Sequence, residues 1–98
     1  MNEQILMEFE IQNEFANNFF QKVAIIQYEI EHEDASEDFS VSSIEAFAKF
    51  SKIVKKLSIE YSKASIEEKI KIYEKKIHKF IGLSRLELAL QGHTLKDI

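Results

Sequence analysis

Cysteine and proline are absent from this chain, and its 98 residues hold only two glycines, Gly82 and Gly92. Without cysteine there is no disulfide and no thiolate metal site, which agrees with a reducing compartment. Without proline, and with no glycine before position 82, no residue breaks a helix on steric grounds over most of the chain. No apolar run approaches the ~20 residues needed to cross a bilayer. The opening residues Met1-Asn2-Glu3-Gln4 lack the basic flank of a secretory signal. These absences lead to the expectation of a cytoplasmic protein that does not enter membranes.

Chemistry-bearing patterns are scarce as well. There is no Gly-x-Ser-x-Gly elbow and no glycine-rich phosphate loop. His32, His78 and His93 stand too far apart to ligate one ion from a single helical turn. The acidic stretch around His32 (Glu31, Glu33, Asp34) could attract a divalent cation, but it lacks the glycine that an EF-hand loop needs at its sharp turn. Catalysis requires convergent groups with perturbed pKa values, and nothing in the pattern predicts convergence. The chain is therefore read as no enzyme, with no metal, no cofactor and no small-molecule substrate.

The first part of the chain is poor in basic charge. Residues 1–40 carry ten acids and a single base, Lys22, a net −9; residues 41–98 carry seven acids and twelve bases, a net +5. Such a split implies that the halves neutralise each other or face different partners.

What the chain has in quantity is helical periodicity. Ile5, Phe9, Gln12, Ala16, Phe19, Val23, Ile26 and Ile30 alternate spacings of four and three, a heptad seam that predicts helix 1 over 3–32. Met7–Gln12 and Ile26–Glu31 also alternate apolar and polar residues as strands do, but the heptad spans more of the chain. Such a helix would be roughly 45 Å long. It would either break near Asn17-Asn18, where asparagine disfavours a helix interior, or leave part of its seam for a second copy. An acidic loop is expected over 33–41.

Three Ser-x-x-Glu capping boxes then open apolar runs: Ser42–Glu45 for helix 2 (43–62), Ser65–Glu68 for helix 3 (66–81) and Ser84–Glu87 for helix 4 (85–91). The expected buried faces are Phe47, Phe50, Val54, Leu57 and Tyr61 on helix 2, and Ile66, Ile70, Tyr73, Ile77 and Phe80 on helix 3. Gly82 is placed as a left-handed helix stop, and Gly92 begins a tail (92–98) that contains His93. Short connections, such as the one between Tyr61 and Ser65, predict antiparallel neighbours. The fold expected is all-α: a small antiparallel bundle of three main helices plus a short C-terminal helix, dimerising through helix 1.

The C-terminal run from Ser84 to Ile98, with Gly92 followed by Thr94, Leu95 and Ile98, resembles the opening of a bacterial helix-turn-helix of sigma-factor-like regulators. That resemblance implies Thr94 as a cap and Leu95 and Ile98 facing inward. It stops before a turn or recognition helix, so it implies no DNA reading by these residues. Their own pattern reads as a tail docked on the bundle.

The function expected is a non-catalytic protein-binding module of bacterial or phage origin, an inhibitor or adaptor of the antitoxin, immunity or anti-defence type. Its acidic face comprises Glu29, Glu31, Glu33, Asp34, Glu37 and Asp38, which would steer encounter with a basic protein surface. Ile11, Phe15, Phe20 and Ile25 lie beside the heptad seam and are candidate apolar contacts. Two lysine stripes, Lys49, Lys52 and Lys56 with Lys63 on helix 2 and Lys71, Lys75 and Lys79 on helix 3, suggest the alternative of a nucleic-acid-associated regulator. Against it stand the negative net charge and the single arginine, Arg85. A third alternative is a purely structural oligomerisation element.

Overall fold

A computed structural model describes residues 2–32 and 40–94. Among these residues the protein is all-helical, with four α-helices: α1 (Glu3–His32), α2 (Val41–Lys63), α3 (Ile66–Ile72) and α4 (Arg85–Ala89). A π-helical turn (Tyr73–Ile77) and a 3-10 turn (His78–Phe80) continue α3, and a second 3-10 segment (Leu90–Thr94) continues α4. The molecule is a rod of 49 × 21 × 19 Å, its long dimension close to the length of α1.

α1 is one continuous helix through Asn17 and Asn18. Both asparagines are exposed, while Ala16 and Phe19 on either side are buried. Tertiary packing of the flanking residues outweighs the few tenths of a kcal/mol, about 0.5 each, that asparagine costs in a helix interior. The first turn is capped by Asn2, whose Oδ1 accepts from the Ile5 amide at 2.9 Å. At the other end His32 stacks on Tyr28 and its Nδ1 meets the Tyr28 carbonyl at 3.0 Å.

The heptad seam of α1 is buried only in part. Ala16, Phe19, Val23 and Ile26 are core, Ile30 packs against it, Phe9 is half-buried and Ile5 is exposed. On α2 the five expected residues Phe47, Phe50, Val54, Leu57 and Tyr61 are all buried. α2 starts earlier than its sequence box suggests. Ser40 is the cap, accepting from the Ser43 amide at 3.2 Å, so Ser42 lies inside the helix and cannot cap it.

The helix expected over 66–81 changes its winding. The His78 amide reaches back five residues to the Tyr73 carbonyl, and this wide turn hands over to the 3-10 turn before Gly82. Tyr73, Ile77 and Phe80 are core, whereas Ile66 is exposed and Ile70 half-buried. Phe80 is the hub of the aromatic core. It stacks on Phe19 at 5.3 Å with nearly parallel rings and meets Phe50 edge-on at 5.3 Å.

The two glycines act differently. Gly82 has φ +86°, the left-handed conformation of a helix stop. Gly92, which the pattern places at the start of a tail, lies instead in the 3-10 segment and presses on α2. A Cβ there would fall 2.0 Å from the Ala46 carbonyl oxygen. The next residue, His93, reaches Ser43 on the same helix, Nε2 to Oγ 3.2 Å. The segment thus closes over the first turns of α2. Leu95–Ile98 lie outside the described residues.

Candidate protein-binding surface

Polar side chains tie α1 to α2, to the Leu83 backbone and to α4. Lys22, the one base of the acidic half, donates to the Leu83 carbonyl at 2.7 Å. Arg85, at the first position of α4, forms an ion pair with Glu29. Tyr61 of α2 donates to Asn13 Oδ1 at 2.7 Å. Burial raises the Tyr61 hydroxyl pKa above its ordinary value, with a further push from nearby Tyr73, and burial likewise raises that of Tyr73. Both phenols are therefore neutral at physiological pH.

The candidate acidic face divides. Glu29 is committed to Arg85 and is largely covered, while Glu31 is exposed and accepts from Gln27 Nε2 at 2.9 Å. Glu33, Asp34, Glu37 and Asp38 lie outside the described residues. The candidate apolar contacts divide as well. Phe20 packs at the edge of the core, edge-on to Tyr61 at 5.6 Å, and borders a different groove from Phe15. Ile11, Phe15 and Ile25 stay 55%, 44% and 48% exposed.

These three share one strip with a residue the pattern does not single out. Positions 7, 11, 15, 18, 22 and 25 follow one another by four and three, so Met7, 63% exposed, continues the strip toward the N-terminus. Its only sequence signal is membership of that second four-and-three series. Glu3, Glu8, Glu10 and Glu14 stand exposed in the same half of α1, and residues 3–21 contain no lysine or arginine. The result is an apolar strip among negative charges.

Beside this strip runs a groove of about 470 Å³ between α1 and α3. Ile5, Phe9 and Ile70 supply apolar lining, Glu8, Glu67, Glu74 and Lys71 the charged lining, and Gln12 completes it. The Gln12 Oε1 atom is buried and has no hydrogen-bond partner. No group of three or more His, Asp or Glu side chains among the described residues is arranged to hold a metal ion.

The lysines do not form one surface. Lys49, Lys52 and Lys56 are exposed on the face of α2 opposite its buried residues. Lys71 turns toward α1 in the groove, Lys75 is exposed, and Lys79 lies over the Phe80 ring, 5.1 Å from its centroid. Two ion pairs form among the described residues, Arg85–Glu29 and a long Lys76–Glu60 contact of 4.0 Å. Neither joins a lysine stripe to the acids of α1.

No helix among the described residues is long and apolar enough to cross a membrane. No protein-family model, curated protein sequence or solved structure matches the chain.

Proposed function

We propose that this chain is a non-catalytic protein-binding module, an inhibitor or adaptor of the antitoxin, immunity or anti-defence type from a bacterium or phage, that meets a basic surface of its partner through acidic α1. The observation that carries this reading is the strip of Met7, Ile11 and Phe15, left exposed on one continuous helix among four glutamates. Exposed apolar groups set in complementary charge are the ordinary composition of a docking face, the charge steering encounter and the apolar groups holding the complex. Glu31, with Glu33, Asp34, Glu37 and Asp38 beyond it, extends the negative field along the chain. The cytoplasm is the compartment that fits a cysteine-free chain of this kind.

A second reading, a nucleic-acid-associated regulator, draws on the exposed lysines of α2. A third, self-association, uses the same α1 strip. Within the bundle we read α1 and α2 as antiparallel, since Tyr61 meets Asn13 while Ser51 and Lys55 border a groove with Gln27 and Glu31.

Capture with the N-terminally tagged chain, with and without nuclease, separates the three. The protein-binding reading expects one stoichiometric protein that survives nuclease. Nuclease-sensitive recovery of many proteins would replace it with the lysine reading, and recovery of the chain alone with self-association.

A further inference from the structure

The α1–α3 groove has a chemistry that selects its occupant. We propose that it takes a basic amphipathic helix supplied by a partner protein; this rests on the protein-binding reading and names the partner's contacting element. The apolar lining, Ile5, Phe9 and Ile70, suits the apolar stripe of a helix, which presents anchors at spacings of three and four. Three carboxylates, Glu8, Glu67 and Glu74, face one cation, Lys71, so the groove favours positive charge. Lysine and arginine side chains fit such a border because their stems cover apolar surface while their heads reach the acids.

Three other occupants fit less well. The acids do not converge on a metal ion. A second α1 would bring two sets of Glu3, Glu8, Glu10 and Glu14 together, and like charges across an interface oppose pairing. The lysine face of α2 in a second copy is cationic, but Ile59 and Val41 are its only large exposed apolar side chains among the described residues. The groove beside Phe20 also contains a buried unpartnered amide oxygen, on Gln27, but its charged lining is one acid and one base, Glu31 and Lys55, and selects neither sign.

The test is an NMR titration of the full ¹⁵N-labelled chain with a synthetic helical peptide of about 18 residues, roughly 27 Å long. Leucines occupy one face of the peptide and lysines the rest; a control carries glutamate in place of lysine. The lysine peptide is expected to shift the amides of Ile5, Phe9, Gln12, Ile70 and Lys71, and the glutamate peptide to leave them in place. The double variant Glu8→Lys/Glu74→Lys should weaken binding by about tenfold or more while the far-ultraviolet circular dichroism stays unchanged. The proposal is overturned by absence of shifts, by shifts centred on Glu29 and Glu31, by equal affinity in the double variant, or by self-association that perturbs the α2 lysines instead. Absence of shifts removes the groove assignment even where the tagged chain captures a protein, so this failure reads separately from failure of the protein-binding function.

Discussion

Ser84 and Glu87 satisfy each other's backbone at the start of α4. The Glu87 amide donates to Ser84 Oγ and the Ser84 amide to Glu87 Oε1, each at 3.1 Å. The bond from the Ser84 backbone, helped by the Ser84 hydroxyl and by Lys22, holds the Glu87 carboxyl below its ordinary pKa. The folded value thus lies below the unfolded one. The cap's contribution is present above the unfolded pKa and is lost as pH falls through the folded pKa. An NMR titration of the Glu87 side-chain carboxyl should place its midpoint below that of the urea-unfolded chain, and Ser84→Ala, which removes the hydroxyl but keeps the backbone donor, should narrow the difference. Equal midpoints in the folded and unfolded chains would contradict the cap. This box was legible in the sequence because it is local. The cap of α2 was not, because Ser40, Ser42 and Ser43 are all able caps and the choice depends on where packing starts the helix.

At the scale of elements, the two glycines test how the helices are joined. Gly82→Ala places a side chain at positive φ with open space around it, and should cost about 1 kcal/mol. Gly92→Ala drives a Cβ into the α2 backbone, which cannot yield as a side-chain tip would, and should cost more, about 1–3 kcal/mol. Urea unfolding that ranks Gly82→Ala as the more damaging would contradict the docking of the last segment on α2. The periodicity of α2 was fully readable, since one helix packed along its length shows its buried face as a regular spacing. α1 was readable as a helix, but not which part of its seam is covered. Ile5 and Phe9 continue the same spacing as Phe19 and Val23 and differ only in what stands opposite. The π turn of Tyr73–Ile77 leaves the four-and-three pattern of Tyr73, Ile77 and Phe80 unaltered, so spacing alone does not reveal it. Gly92 reads like a helix stop until its neighbour Ala46, distant in sequence, is known.

Across the whole molecule, one long helix carries surface that its own bundle does not cover. The C-terminal part of α1 is anchored by the core and by Lys22 and Glu29. Its N-terminal part presents Met7, Ile11 and Phe15 with the acidic groove alongside. Ile11 and Phe15 could be picked out as lying off the seam. The groove could not, because it exists only where α3 meets α1. The central claim is that this strip is a docking face, and affinity capture comparing the tagged chain with its Met7→Ser/Ile11→Ser/Phe15→Ser variant tests it most directly. These side chains are only partly buried, so the variant should keep its helical circular dichroism and lose about 2–3 kcal/mol of stability without unfolding. The account predicts a stoichiometric, nuclease-resistant protein partner with the parent and its loss with the variant. Undiminished capture by a folded variant would contradict it.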